Sequence, residues 1–234
     1  MTSTIEAVAA LVGDAKRIVV FTGAGISAES GIPTFRDPLT GIWARHDPEK
    51  LETASAFRED AALVWGWYLW RRVQVAQAAP NAAHQAIVQL ARTREVTVVT
   101  QNIDDLHERA GSVDVIHLHG SLAQPKCFAC HRTPAALSFE EPIASEGLRI
   151  EPPRCPRCNG KLRPDVVWFG EDLPTAAWKR SVLAARDCDV LLSIGTSGWS
   201  SRPPRFQSWH CTPALTSCTS TLRKLPSRAA GNCA

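Results

Sequence analysis

Apolar residues recur at helical spacing at Ile5, Val8, Ala9 and Val12 behind a Ser3-x-x-Glu6 capping box, which predicts a helix over residues 4–15. The period then changes. Arg17-Ile-Val-Val-Phe-Thr22 is apolar and β-branched on both faces, as a strand buried inside a parallel sheet must be. Val96 to Thr100, Val113 to His117 and Asp189 to Ile194 read the same way, as further strands. Between them, residues 58–78 are helical in pattern and crowded with Trp65, Trp67, Tyr68 and Trp70, until Pro80 ends the helix; another helix is predicted near 175–186. Each strand ends in glycine or polar residues: Gly23-Ala24-Gly25, Gln101-Asn102-Ile-Asp104, His119-Gly120 and Gly195-Thr196-Ser197. In an open parallel α/β sheet that edge is where ligands bind.

Composition changes this picture little. With 234 residues, 44% apolar and 21% charged, the chain is one large globular domain or a domain with a small insertion, neither fibrous nor low-complexity. The net charge of +3 is uneven, because residues 199–234 hold five basic residues and no acidic one, leaving 21 basic against 23 acidic in residues 1–198. That is too little positive charge for a nucleic-acid protein. The longest apolar stretch of the N-terminus, Val8 to Val12, is too short for a signal peptide or a membrane span, so a cytoplasmic protein without membrane contact is expected.

Four of the eight cysteines form two tight pairs, Cys127-Phe-Ala-Cys130 and Cys155-Pro-Arg-Cys158. In a reducing compartment this spacing predicts one tetrahedral structural zinc ion with no open position; unrelated buried thiols or a redox pair are the alternatives. Gly23-x-Gly25 after a strand lets the backbone and the dipole of a following helix approach a pyrophosphate, although the third glycine of the dinucleotide fingerprint is replaced by Ala28, and an ordinary tight turn fits as well. His119 is placed as a general base or as a structural histidine. Asn102 and Asp104 suit a carboxamide ligand or a helix cap. Tyr68 and Arg71, three apart on one helix face, offer a phenol and a guanidinium to one anion, or belong to an aromatic helix with a solvated arginine.

Together, Gly23 to Arg36, Thr100-Gln-Asn-Ile-Asp104, His119-Gly120, the four cysteines, Val167-Trp-Phe-Gly-Glu171 and Gly195-Thr-Ser197 resemble the sirtuins, NAD-dependent protein-lysine deacylases, over roughly residues 4–198. Tyr68-x-x-Arg71 with Ala28 is similar to the branch that prefers succinyl and malonyl groups over acetyl. The resemblance implies an α/β fold: a Rossmann-like parallel-sheet domain (about 1–36, 80–120 and 164–198) with a smaller domain made of a helical insertion (about 37–79) and a zinc module (about 121–163). It also implies a transferase that consumes NAD and gives nicotinamide, free lysine and O-acyl-ADP-ribose. By motif position, Gly23, Ala24, Gly25, Ser27 and Ala28 would line the phosphates and ribose, and Phe35 and Arg36 would belong to a cofactor loop. Gln101, Asn102 and Asp104 would hold the nicotinamide ribose and carboxamide, and Gly195, Thr196 and Ser197 the adenosine half. His119 would be the catalytic base. Tyr68 and Arg71 would read the acyl group, and the backbone of Val167, Trp168, Phe169, Gly170 and Glu171 would pair with an acyl-lysine peptide or protein as an added strand.

After Gly198 the sirtuin pattern stops. Residues 199–234 carry ten Ser/Thr, four Pro and three lone Cys without a helix or strand period, which predicts an anomalous segment, either a frameshifted translation or a divergent terminus. A chain so altered could keep NAD or ADP-ribose binding while losing turnover.

Overall fold

The structure, a computed structural model, describes residues 4–33, 47–134, 149–196 and 220–224. Phe35, Arg36 and Ser197, and the capping residue Ser3, lie outside the described residues.

In chain order the elements are α1 (Thr4–Asp14), β1 (Arg17–Thr22), two 3-10 turns (Ala24–Ile26 and Ala28–Ser30), α2 (Pro48–Leu51), α3 (Ala54–Glu59), α4 (Ala61–Gln77), α5 (Ala82–Ala91), β2 (Glu95–Thr100) and α6 (Leu106–Ala110). They continue with β3 (Val115–His117), β4 (Gly120–Cys127), β5 (Leu162–Val166), α7 (Thr175–Asp187), β6 (Val190–Ile194) and β7 (Ser220–Lys224). The main sheet has the order β3-β2-β1-β6-β7, parallel except for β7, which runs antiparallel to β6.

The two-sided apolar pattern of β1 is accounted for by period-2 alternation against two helix layers. Ile18 and Val20 pack with Val98, Val190 and Ile87 of α5, while Val19 packs with Val99, Ile116 and Ala184 of α7. A second core lies off the sheet, where Phe57, Trp67, Tyr68, Leu122, Val166 and Trp168 join the helical insertion to a two-stranded antiparallel ribbon of β4 and β5.

Three expectations need correction. The helix expected after Gly23-x-Gly25 is, among the described residues, two single-turn 3-10 segments, so no helix dipole is aimed there, and the amides of Gly23, Gly25, Ile26, Ser27, Ser30 and Gly31 are already given to backbone carbonyls. Residues 164–172 do not return directly to the main sheet; their first residues finish the β4–β5 ribbon, in register Cys127 to Leu162 and Gly120 to Val166. And the tail that shows no strand period contributes one: Ser220 to Lys224 pairs with β6 from Ile194 to Val190.

Candidate active site

Because β1 connects onward to β2 on one side while β6 returns on its other side, the sheet has a switch point at the C-terminal ends of β1 and β6. The glycines meet there. Gly25 donates its N–H to the carbonyl of Gly195 at 2.8 Å, and a Cβ on Gly25 would stand 2.8 Å from the Gly195 Cα. Gly195 itself has φ +64, and a Cβ there would lie 2.2 Å from the Ile26 nitrogen. Neither position has room for a side chain, so two loops are held backbone to backbone, leaving a cleft edge that a diphosphate can approach.

A polar lattice fixes the loop after β2 against this turn. Thr22 Oγ1 donates to Thr100 Oγ1 (2.8 Å), which accepts the Asn102 N–H (3.0 Å). Asn102 in turn donates its side-chain amide to the Gly23 carbonyl (3.2 Å) and Ser27 Oγ (3.1 Å). Ser27 donates to Asp104 Oδ2 (3.0 Å), while Asp104 Oδ1 accepts the Leu106 N–H (3.1 Å) at the start of α6. Asp104 therefore holds the first amide of α6, one residue ahead of the N-cap position at Asp105. Burial raises its pKa, against the lowering effect of the Leu106 and Ser27 hydrogen bonds.

Ala24, Ser27, Gln101, Asn102, Asp104 and His119 line one cavity, and Val167, from the segment expected to pair with a peptide, borders it together with Arg71 and Glu52. His117, two residues before His119, is engaged elsewhere: its ring bonds the Asn102 carbonyl (3.1 Å) and Glu108 Oε1 (2.7 Å). Gly23, Gly25, Gly195 and Thr196 stand at the rim formed by the two loops, and Ala28 is exposed in the second 3-10 turn.

Tyr68 and Arg71 are both buried, which removes the solvated-arginine alternative. Only Arg71 lines the cavity. Tyr68 lies behind it, and its phenolic oxygen accepts the Trp168 indole N–H at 2.8 Å. Burial first, and the Glu52 charge second, push its pKa well up, so the phenol stays neutral.

The added-strand expectation needs a restriction, because most amides of that segment are already engaged. Val167 N–H donates to the His119 carbonyl (2.8 Å), Phe169 N–H to the Glu52 carbonyl (2.9 Å) and Glu171 N–H to the Trp168 carbonyl (3.0 Å). The Trp168 N–H goes to Glu171 Oε2 (2.9 Å), a carboxylate that also holds Arg163. Gly170 apart, a peptide alongside would meet carbonyls rather than amides.

Glu52 is the residue that sequence reasoning missed. Its side chain is 4% exposed, its Oε1 has no hydrogen-bond partner among the described residues, and burial raises its pKa to about 7 against the opposing charge of Arg71. No local signal marks it, since Leu51-Glu52-Thr53 reads as an ordinary surface turn.

At the far end of the ribbon, the sulfurs of Cys127, Cys130, Cys155 and Cys158 all lie within 4.8 Å of one another, with Cys127 to Cys158 at 3.4 Å and Cys130 to Cys155 at 3.9 Å. Four thiolates around zinc at about 2.3 Å would be separated by about 3.8 Å, so the donor set and its size fit a closed structural zinc site.

A glycine-bound switch point on a Rossmann-like sheet, joined to a four-cysteine ribbon and a helical insertion, defines an α/β nucleotide-binding enzyme class with a zinc module. A model of the Sir2 family matches residues 23–200, and the chain belongs to that family. It is 65% identical over 185 residues to an NAD-dependent protein deacylase of Pseudomonas putida, covering 78% of this chain and 70% of the relative. With NAD-dependent protein deacylase 1 of Pseudomonas aeruginosa it shares 57% identity over 195 residues, covering 83% and 78%. Among solved structures, a Sir2 homolog–NAD complex superposes with a TM-score of 0.73 at 44% identity, over 84% of this chain and 74% of the other. No described helix is long and apolar enough to cross a membrane.

Proposed function

We propose that this chain removes succinyl and malonyl groups, and acetyl groups less readily, from protein lysines at the expense of NAD. The coarser part, NAD-dependent protein deacylation, is the activity named for its relatives in Pseudomonas putida and Pseudomonas aeruginosa. The observation that carries the finer part is Arg71. A guanidinium 8% exposed, with its Nε unpartnered among the described residues, faces the same cavity as His119 and is costly there unless an anion meets it.

NAD fits the residues present: the Gly25–Gly195 contact leaves a backbone-lined approach for a diphosphate, and Ser27, Gln101, Asn102 and Asp104 offer donors and acceptors beyond it. When bound, it supplies the ribose carbon that accepts the acyl oxygen as nicotinamide leaves. Asn102 and Asp104, fixed through Ser27 and Thr100, orient the nicotinamide end without reorganising. His119 takes a proton from a ribose hydroxyl on a ring nitrogen, and Arg71 pairs with the distal carboxylate of the acyl chain. Ile32, Ile103 and Val166 wall the cavity and exclude water from the reacting groups. Cys127, Cys130, Cys155 and Cys158 would hold one structural zinc ion at the far end of the β4–β5 ribbon, where it would stiffen the ribbon.

The test is mass-spectrometric turnover of matched succinyl-lysine and acetyl-lysine peptides with and without NAD. NAD-dependent loss of succinyl, faster than acetyl, is the expected result. A faster loss of acetyl would overturn the acyl preference, and no NAD dependence would overturn the reaction.

A further inference from the structure

The cavity that Arg71 borders also has the buried side chain of Glu52 in its lining. Glu52 sits between α2 and α3, turned inward, with a carboxylate oxygen that nothing described satisfies, and it borders the cavity that Arg71 and His119 border. Its position is fixed from behind: its carbonyl accepts the Phe169 N–H, and Thr53 and Phe169 form a parallel bridge. One guanidinium balances one negative charge, and Arg71 already feels both Glu52 and Asp104, so an acyl chain ending in a carboxylate competes with an ionised Glu52 for it.

We propose that Glu52 is a further specificity-determining residue of this pocket, acting beside Arg71. As a neutral acid it leaves Arg71 to the acyl carboxylate and donates an O–H hydrogen bond to that carboxylate; as a carboxylate it competes for Arg71 and turns acidic acyl groups away. The inference rests on the acyl-pocket reading of Arg71 given above.

The charged and titratable groups facing Glu52 agree with this. From α4 come Arg71 and Tyr68, from the loop after β2 comes Asp104, and His119 lies ahead of β4; Arg163 of β5, beyond Tyr68, is already paired with Glu171. Arg71 is thus the cation for which Glu52 and the ligand compete. The carboxyl group titrates at about 7, so modest changes of pH exchange the two forms. Above that value the neutral fraction falls about tenfold per pH unit, and the selectivity for acidic over neutral acyl groups falls with it.

The experiment measures the ratio of kcat/KM for succinyl-lysine to acetyl-lysine peptide from pH 6 to 9, in the wild type and in Glu52→Gln. Taking the ratio cancels the pH dependence of His119 and of the NAD chemistry, which both substrates share. The expected result is a wild-type ratio that falls about tenfold per unit above pH 7 and a flat ratio in Glu52→Gln. A flat wild-type profile, or an equal decline in the variant, overturns the proposal. Calorimetry of succinyl-peptide binding at pH 8 in two buffers of different ionisation enthalpy gives an answer independent of turnover. The wild type should take up close to one proton and Glu52→Gln none, and equal uptake by both overturns the proposal. Arg71→Met separates the two readings. If it reduces desuccinylation and deacetylation equally, the pocket assignment fails; if it selectively removes desuccinylation while Glu52→Gln tracks the wild type, only the role of Glu52 fails.

Discussion

Trp168 donates its indole N–H to the phenolic oxygen of Tyr68 across 2.8 Å, joining two buried residues that lie 100 positions apart in the chain. The bond ties α4, which carries Arg71, to the segment after β5 that borders the cavity. Tyr68→Phe leaves the indole N–H buried without an acceptor, a loss of about 1–3 kcal/mol that urea denaturation should record. Desuccinylation should fall further than stability alone accounts for, because Arg71 loses the neighbour that fixes its helix face.

His119→Tyr should abolish turnover of every acyl peptide while the far-ultraviolet circular dichroism and the melting transition stay close to those of the wild type. His119 contributes its carbonyl to the Val167 N–H through the backbone, which the substitution preserves. Retained turnover would remove the imidazole from the mechanism.

Cys155→Ser should lower bound zinc from one ion per chain to none and loosen the β4–β5 ribbon, with metal analysis and limited proteolysis as the measurements. Cys127 and Cys155 are buried beside Leu162, so the loss should be felt at the foot of β5 and, through Val166, in the second core.

Stability should depend on pH through Glu52. Its pKa is about 7 in the folded protein against 4.5 for the ordinary group, so the folded state binds more protons than the unfolded state between those values. Stability is therefore lost as pH rises from 4.5 to 7, by about 3 kcal/mol, and levels off above. Burial lowers His107 to about 4, which favours folding as pH rises and opposes this fall, so the measurement is the urea stability of the wild type relative to Glu52→Gln, which should drop by about 2 kcal/mol between pH 5 and pH 7.5.

The parallel strands of the main sheet were legible because a β-branched run buried on both faces carries its own signature, and so were the polar groups at their ends, which the sheet brings together at one edge. The cysteine pairs were legible through spacing alone. The ribbon was not: Gly120-Ser-Leu-Ala-Gln-Pro-Lys-Cys127 has no alternation, and its pairing with a strand that contains Pro164 is decided by a partner some 40 residues away. Glu52 and the depth of Tyr68 were hidden for the same reason. A carboxylate beside a threonine and a tyrosine on an aromatic helix look alike on a surface and in a core until the residues across the cavity are in place. Between residues 220 and 224 the sequence offers no strand pattern, and the element is imposed by the open edge of β6.

That edge has a further consequence. β7 joins β6 by main-chain pairing from Val190–Lys224 to Ile194–Ser220, and a ladder of peptide groups recognises extended backbone rather than particular side chains. The outer margin of the sheet is consequently permissive to drift in composition, whereas the glycine contact at its centre tolerates no added atom.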